Sequence, residues 1–352
     1  MENEFNNNEN KSYNNKLDIL AVIGFKGSVI DGLILHPDNE HLIFPLGSQI
    51  VVRNILTREQ KYLRGHDNDI SVICVSKSGK YLATGQKTHT GFKADIIIWD
   101  FESGSFLHRL SIHKVAIKSL SFSFNDNYLV SLGSYEDNYL IVWNVESGKA
   151  LCGNTAGTDN VHCVKFCNTV DDQIITCQNY GIKIWKIDYQ AKKLRSTDVN
   201  FGNLRRMFTC ISIDSTDNFA FFGTKTGDVI EVDINNAIYK RIGPVKRLFS
   251  QGITTIITLP NGDLIVGTGE GVLAKIGYNE MRIKAESKIL GSISSITFTS
   301  DYSYFFCGTD QSNIYWCESS TLNCEIRSTC HYDNVNDVAF PKYFYIKLIK
   351  NI

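Results

Sequence analysis

Histidines and cysteines are the side chains of this sequence that could bind a metal or act on a substrate. The nearest approach to a metal-binding set is His162, Cys163, Cys167 and Cys177. Their spacing is not that of a CxxC pair, and Cys163 and Cys177 lie within apolar runs. We therefore interpret these thiols as small core side chains, and we predict neither a metal site nor a cofactor.

Catalytic motifs are missing from the sequence. It contains no GxSxG, GxxxxGK[ST] or HExxH pattern. The glycine-rich stretch 267–271 joins two predicted strands, whereas a phosphate-binding loop needs a helix N-terminus behind it. Asp69 lies near His66, but no nucleophile accompanies the two residues. The sequence therefore predicts a protein that is not an enzyme.

Charged residues balance almost evenly, at 36 Lys and Arg against 37 Asp and Glu, for a net charge of −1. A broad attraction to nucleic acid or to anionic lipid is therefore not expected. Short basic clusters occur at 192–195, 205–206, 240–241 and 246–247. We interpret them as solvated surface, with contact to an acidic partner as the alternative. The apolar stretch around 19–25 is too short to cross a membrane.

The chain is built from apolar runs that recur in order. The stretch 65–100 opens with Gly65-His66, closes with Trp99-Asp100, and holds three runs of strand-forming residues separated by turns. The closing pattern returns at Trp143 and Trp185, after 44 and 42 residues. A period in the low forties with four strand-like runs is typical of a β-propeller.

Seven copies of this unit can be recognised, and we predict an all-β propeller of seven four-stranded blades. The repeat domain spans 16–341, after a disordered Asn-rich tail at 1–15, and is followed by an atypical tail at 342–352. Surplus strands at Leu17–Ile23 and Val335–Phe340 suggest a truncated protein with two propellers in tandem. The copies lie at 29–64, 65–112, 113–153, 160–198, 206–243, 251–290 and 291–330, and an eighth begins at 334–341.

The units resemble WD repeats. In that family a His, a strand Ser or Thr, a turn Asp and the closing Trp form a hydrogen-bonded set that pins each blade. In the third copy His113, Ser131, Asp137 and Trp143 match these positions. The resemblance therefore implies that these four side chains are structural rather than catalytic.

Other copies depart from the WD pattern. In the second copy His66 and Trp99 match, but residues 86–94 lengthen the turn and no Asp stands six residues before the Trp. Trp185 closes the fourth copy, and the last three copies lack a closing Trp. Trp316 falls one residue away from the closing column, so we expect its side chain to point to the opposite face of its strand.

A closer resemblance, covering about 16–341, is to the cilia- and flagella-associated protein 52 family, a group of ciliary WD-repeat proteins. The similarity is carried by long stretches, and its most specific piece is the atypical insertion Gly91–Asp95, which a generic WD repeat lacks. The similar stretches include 17–47, 76–100 and 129–153.

The resemblance implies a structural role in motile cilia and flagella. Proteins of that family carry two propellers and lie inside the doublet microtubules of the axoneme, bound to tubulin and to other microtubule inner proteins. It also implies a cytoskeletal location within the cytoplasm, no nucleic-acid or membrane partner, and a match to only the first half of the family pattern. The alternative is a soluble cytoplasmic WD-repeat adaptor. Exposed turns are the candidate contacts, above all Lys87, His89, Phe92 and Lys93.

Overall fold

The computed structural model describes residues 22–245 and 247–329, and within these ranges the chain forms 28 strands and no helix. The Asn-rich tail, the eighth repeat, the strand at Val335–Phe340 and the tail at 342–352 lie outside the described residues. So does most of the strand expected at Leu17–Ile23, while Val22–Phe25 form no strand. The first strand is instead Ile34–Leu35.

Seven antiparallel four-stranded sheets account for all of these strands, which confirms the predicted propeller. Each sheet uses four consecutive strands, and the first of them is innermost. Blades 1 to 4 comprise β1–β4 (Ile34–Leu35, His41–Leu46, Gln49–Asn54, Gln60–Arg64), β5–β8 (Ile70–Val75, Tyr81–Gln86, Ile96–Asp100, Phe106–Leu110), β9–β12 (Ile117–Phe122, Tyr128–Gly133, Tyr139–Asn144, Lys149–Thr155) and β13–β16 (Val161–Phe166, Gln173–Gln178, Gly181–Asp188, Lys193–Asp198).

The remaining three blades have the same order. β12 ends at Thr155, two residues beyond the end predicted for the third repeat at 153. Blades 5 to 7 comprise β17–β20 (Phe208–Ile213, Phe219–Thr224, Val229–Asp233, Ile238–Gly243), β21–β24 (Ile253–Thr258, Leu264–Thr268, Val272–Gly277, Arg282–Lys288) and β25–β28 (Ile293–Phe298, Tyr304–Thr309, Ile314–Glu318, Cys324–Ser328).

Middle strands are apolar on both faces because a neighbouring blade covers each face. On β7, Ile97 and Trp99 join a core cluster with blade 1, whereas Ile96 and Ile98 join a cluster with blade 3. Side chains alternate along a strand, so an unbroken apolar run supplies both interfaces. The outer strands have no such cover, and β24 alternates between exposed and half-buried positions.

Seven apolar clusters fill the seven gaps between blades, and the last of them closes the ring. It joins Leu33 and Phe44 of the first blade region to Phe306 and Ile314 of blade 7. No strand is exchanged between blades in the described part of the chain, so this gap is closed by apolar packing together with hydrogen bonds such as the one from Leu33 N–H to Ser295 Oγ at 3.2 Å. Trp316 is half-buried against the same cluster, on the opposite face from the closing column, as the one-residue offset predicted.

Hydroxyl groups connect the innermost strands of neighbouring blades. Ser71 Oγ donates to the carbonyl of Ile117 at 2.6 Å. Thr209 Oγ1 donates to the carbonyl of Ile253, also at 2.6 Å. Across the closing gap, the amide of Leu35 donates to Thr297 Oγ1 at 2.8 Å. Because adjacent blades do not share a ladder of main-chain hydrogen bonds, these side chains satisfy inner-strand polar groups.

We call the face with the first-to-second and third-to-fourth strand turns the lower face, and the opposite face the upper face. On the lower face, Asp126 of blade 3 accepts the amides of Lys77 and Ser78 of blade 2, at 2.9 and 3.2 Å. Asp217 of blade 5 accepts the amides of Asn168 and Thr169 of blade 4, both at 2.7 Å. These carboxylates tie each turn to its neighbour.

Candidate functional site

The best-formed polar set lies at the upper end of blade 3 and joins the four residues that the WD resemblance selects. Trp143 Nε1–H donates to Ser131 Oγ at 2.7 Å. Ser131 Oγ also contacts His113 Nε2 at 2.7 Å, and His113 Nδ1 contacts Asp137. An indole can only donate and a carboxylate can only accept. The indole therefore donates to the hydroxyl and Nδ1–H donates to the carboxylate, and the contact between Ser131 Oγ and His113 Nε2 joins the two bonds into one set.

Blade 2 builds the same arrangement with a different acceptor. His66 Nε2 and Trp99 Nε1–H both contact Thr84 Oγ1, at 2.7 and 3.0 Å. His66 Nδ1 lies 3.0 Å from Gln86 Oε1, so a neutral amide takes the place of the missing Asp. Burial lowers the pKa of His66, and the hydrogen bond to Gln86 only partly opposes this. The imidazole is therefore neutral at pH 7, as acceptance of the Thr84 hydroxyl requires.

Blade 4 carries only part of the pin. Trp185 Nε1–H donates to Thr176 Oγ1 at 2.9 Å. Gln178 lies two residues beyond Thr176, as Gln86 lies two beyond Thr84, yet its buried Oε1 has no partner. Trp185, which was predicted as a pinning residue, therefore forms its hydrogen bond without a histidine in the set.

Blade 5 uses a pin that sequence reasoning missed. Arg206 Nε–H donates to Asp228 Oδ2 at 2.7 Å, and Thr224 Oγ1–H donates to the other carboxylate oxygen. Asp228 is buried, with 1% of its surface exposed. Phe222 and Val232, which stand where blade 3 has Ser131 and Trp143, pack in the apolar cluster between blades 4 and 5. No motif in the sequence joins Arg206 to Asp228, which lies 22 residues later, so the pair could not be recognised before the blade was assembled.

The insertion of blade 2, residues 87–95, is held in place by main-chain hydrogen bonds. The amide of Val115 donates to the carbonyl of Phe92 at 3.0 Å, and the amide of Thr88 donates to the carbonyl of Val115 at 2.6 Å. The amide of Ala94 donates to the carbonyl of His113 at 2.9 Å. The insertion is therefore fixed to the segment that opens blade 3, beside its pin.

The predicted contact residues lie on this insertion and point to the surface. Lys87, His89, Phe92 and Lys93 are all exposed, and Phe92 keeps 65% of its surface open to solvent. Lys87 Nζ is 3.8 Å from a carboxylate oxygen of Asp69. An exposed phenyl ring on an ordered loop loses little conformational entropy when a partner covers it.

Most of the basic clusters are neutralised inside the chain. Arg241 and Lys240 both pair with Glu231, which is fully buried. Arg247 Nη1 lies 2.5 Å from Glu286, and Arg206 forms an ion pair with Asp228. Arg195 lies 3.5 Å from Asp188. Within the described ranges, Lys192 and Lys193 have no carboxylate within 4.0 Å. These clusters therefore contribute less free positive charge than the sequence indicates.

The innermost strands surround a central channel of about 890 Å³. At its upper end Lys118 Nζ donates to Asn160 Oδ1 at 2.8 Å and lies 3.3 Å from His162 Nδ1. His162 Nε2–H donates to Asn179 Oδ1 at 2.7 Å. Burial, together with nearby lysines, lowers the pKa of His162, and burial lowers that of Lys118. These polar groups satisfy one another and bridge blades 3 and 4.

The candidate zinc set is not a ligand cluster. Cys163, Cys167 and Cys177 are buried in the apolar cluster between blades 4 and 5, and burial raises the pKa of each thiol. His162 turns to Lys118 and Asn179 instead. In the part of the chain that the structure describes, no three His, Cys, Asp or Glu side chains are placed to hold a metal ion. Among all the residues that the structure describes, there is also no helix suited to spanning a membrane.

Seven four-stranded blades with tryptophan, hydroxyl and imidazole pins define a WD-repeat β-propeller. Solved propellers agree: the structure of U3-55K matches with a TM-score of 0.65 at 17% identity, over 80% of this chain and 88% of the other. The β-propeller domain of Cps50 (Swd1) from Myceliophteria_thermophila matches with a TM-score of 0.63 at 15% identity, over 74% and 85%. At such low identity these likenesses establish the fold alone.

Sequence comparison gives the family. The model described as the echinoderm microtubule-associated protein first β-propeller matches residues 59–317, and the chain belongs to this family. Cilia- and flagella-associated protein 52 of Chlamydomonas reinhardtii is 41% identical over 92% of this chain, and that of Homo sapiens is 39% identical over 93%. The predicted resemblance is therefore confirmed. In both cases the match spans 53% of the relative, so this chain corresponds to about half its length.

Proposed function

We propose that this chain is a non-catalytic structural protein of motile cilia and flagella, which binds tubulin and other inner proteins within axonemal doublet microtubules. The observation that carries the proposal is the 38–41% identity, over nearly the whole chain, to proteins named for cilia and flagella. The match to the first propeller of a microtubule-associated protein supports the same setting. Because the chain covers about half the length of these relatives, the partners of the relatives are not assigned to it directly. They form part of the proposal.

The internal chemistry is consistent with a scaffold. The histidines of the two pins have both ring nitrogens engaged by side chains of the same blade. Buried carboxylates such as Asp228 and Glu231 are bonded to basic side chains. A general base needs a free lone pair that faces a substrate. The lone pairs of these groups are already engaged in hydrogen bonds and ion pairs within the fold. The matched family and the relatives named above carry structural rather than enzymatic names, which supports the proposal.

The insertion of blade 2 is the proposed contact with the partner. Lys87, His89, Phe92 and Lys93 combine an exposed aromatic ring with positive charge on a loop that is already ordered. An aromatic anchor gives most of the apolar contact, whereas the lysines orient an acidic partner. A soluble cytoplasmic adaptor remains the second function to be tested, since a propeller by itself supports either role.

Cell fractionation separates the two functions. Flagellated cells that express this chain are extracted with detergent and moderate salt, and the axonemes are then dissolved stepwise. A protein held inside the doublets should remain with the axoneme until the tubulin wall itself dissolves. Quantitative release by detergent and salt, with the chain recovered in the soluble fraction, would identify a cytoplasmic adaptor and reject the proposed role.

A further inference from the structure

The two faces of the propeller differ in the charge that they expose. We propose that the upper face docks onto an acidic protein surface, whereas the lower face is turned away from it. This orientation rests on the proposed function, in which tubulin supplies the acidic surface.

The lower face is acidic because its turns are capped by carboxylates. Ser103 N–H donates to Asp100 Oδ1 at 2.9 Å, and Asn236 N–H donates to Asp233 Oδ1 at 3.0 Å. These hydrogen bonds lower the pKa of both carboxyl groups, so the groups stay charged. Six of the seven third strands end in a capping side chain, which is a carboxylate at Asp100, Asp188, Asp233 and Glu318 and a neutral amide at Asn54 and Asn144.

Further carboxylates lie in the first turns of the blades. Asp126 and Asp217 tie neighbouring turns together, and Asp301 caps its own turn through Ser303 N–H. Each of these carboxylates therefore stabilises a turn. Their common position nevertheless gives this end of the propeller a negative potential, which repels an acidic partner.

On the upper face, three carboxylates form ion pairs with basic side chains. Asp69 pairs with Lys26 at 2.6 Å, and Asp95 pairs with Arg109 at 2.7 Å. Asp228 is likewise paired with Arg206 and is buried besides. The charge of these three carboxylates is therefore cancelled within the chain, whereas the exposed Glu136 is bonded only to the hydroxyl of Ser134.

Unpaired positive charge remains on the upper face. Lys93 and Lys114 are bridge partners on adjacent segments, and both are exposed. Lys225, in the corresponding turn of blade 5, is also exposed. For all three, none of the described carboxylates lies within 4.0 Å. Free ammonium groups that no internal partner screens are available to an acidic surface.

Exposed apolar side chains accompany these lysines. We call residues 87–95, 112–116 and 134–138 the ledge. Its three segments are joined by main-chain bonds, from Val115 N–H to Phe92 O at 3.0 Å and from Ser134 N–H to Ala116 O at 2.9 Å. Phe92 and Tyr135 are each 65% exposed, and Ile112 is 51% exposed.

This composition favours a protein over a nucleic acid as the occupant. Large aromatic side chains with few, spaced charges are typical of protein interfaces. Binding to a nucleic-acid backbone gains its affinity from many phosphate contacts, and here the opposite face is acidic. We therefore commit to an acidic protein surface with an apolar centre.

Matched charge reversals on the two faces test the orientation. The double variant Lys93→Glu/Lys114→Glu alters the ledge, and Lys192→Glu/Lys193→Glu makes the same charge change at an exposed turn of the lower face. Binding to purified tubulin, as dimers and as open sheets that expose the inner wall, is measured by fluorescence anisotropy at two salt concentrations. Circular dichroism checks that both variants fold.

We expect the ledge variant to bind about tenfold more weakly at low salt, with a shallower salt dependence, because two favourable charge pairs become repulsive. The lower-face variant should stay within about twofold of the unaltered chain. An equal or larger loss in the lower-face variant would overturn the orientation while leaving tubulin as the partner. If the unaltered chain fails to bind tubulin, or binds single-stranded RNA more tightly, both the partner and the orientation are rejected.

Discussion

Replacing Ser131 by Ala should destabilise the protein far more than the loss of one hydroxyl group suggests. Ser131 is fully buried, and its Oγ is the only atom that joins Trp143 Nε1 and His113 Nε2. Both of those side chains are at most 2% exposed, so water cannot replace the hydroxyl. Each buried group left without a partner costs about 1–3 kcal/mol, and we expect a total loss of about 2–4 kcal/mol.

The size of the effect can be traced to its source with a double-mutant cycle. Trp143→Phe removes the indole donor, so in the double variant Ser131→Ala no longer leaves that donor unpaired. We therefore expect the double variant to be less destabilised than the sum of the single variants, by about 1–2 kcal/mol. Ser134→Ala is the matched control, since Ser134 Oγ bonds only an exposed Glu136 carboxylate.

Urea unfolding followed by far-ultraviolet circular dichroism measures the unaltered chain and its four variants without relying on the altered tryptophan. The Ser134→Ala control should shift the free energy of unfolding by less than about 0.5 kcal/mol. If Ser131→Ala behaves like the control, or if the two blade 3 substitutions add without coupling, the pin does not carry the free energy that its geometry indicates.

Three further predictions concern other parts of the ring. Because burial lowers the pKa of His66, the unfolded chain takes up that proton first. The stability that neutral His66 contributes is complete above pH 6.5, the ordinary pKa of histidine, and decreases as the pH falls below that value. His66→Gln should therefore make the melting temperature depend less steeply on pH between pH 7 and 5. Asp217→Ala should cost about 1–3 kcal/mol in urea unfolding, because the amides of Asn168 and Thr169 lose their acceptor; an unchanged midpoint would contradict this. Phe25→Ala should cost about 3–5 kcal/mol and speed proteolysis across the gap between blades 7 and 1, whereas cleavage elsewhere first would mean that this gap is not the weak point.

The repeat architecture and its register could be predicted from the sequence. Strand alternation and turn residues are local signals, and they recur with a period that only one common architecture explains. The closing tryptophans fixed the register of blades 2 to 4, and the offset of Trp316 followed from the same alignment.

The hydrogen-bond partners could not be predicted in the same way. In blade 2 the side chain of Gln86, the last residue of β6, stands in for the aspartate that contacts the histidine in blade 3. Arg206 and Asp228 are 22 residues apart, and no pattern in the sequence joins them. A hydrogen bond depends on distances within a few tenths of an ångström, which the spacing of residue types does not determine.

The sequence by itself determined that this chain is a seven-bladed propeller with a ciliary resemblance, because fold class depends on periodicity and on long matching stretches. Only the tertiary structure decided which charges remain available to a partner. Arg206, Arg241 and Arg247, each from a different basic cluster, form ion pairs with carboxylates elsewhere in the sequence. Lys93 and Lys114, which no cluster marked, remain unpaired side by side. Charge neutralisation acts through space, so it becomes visible only when the blades are assembled.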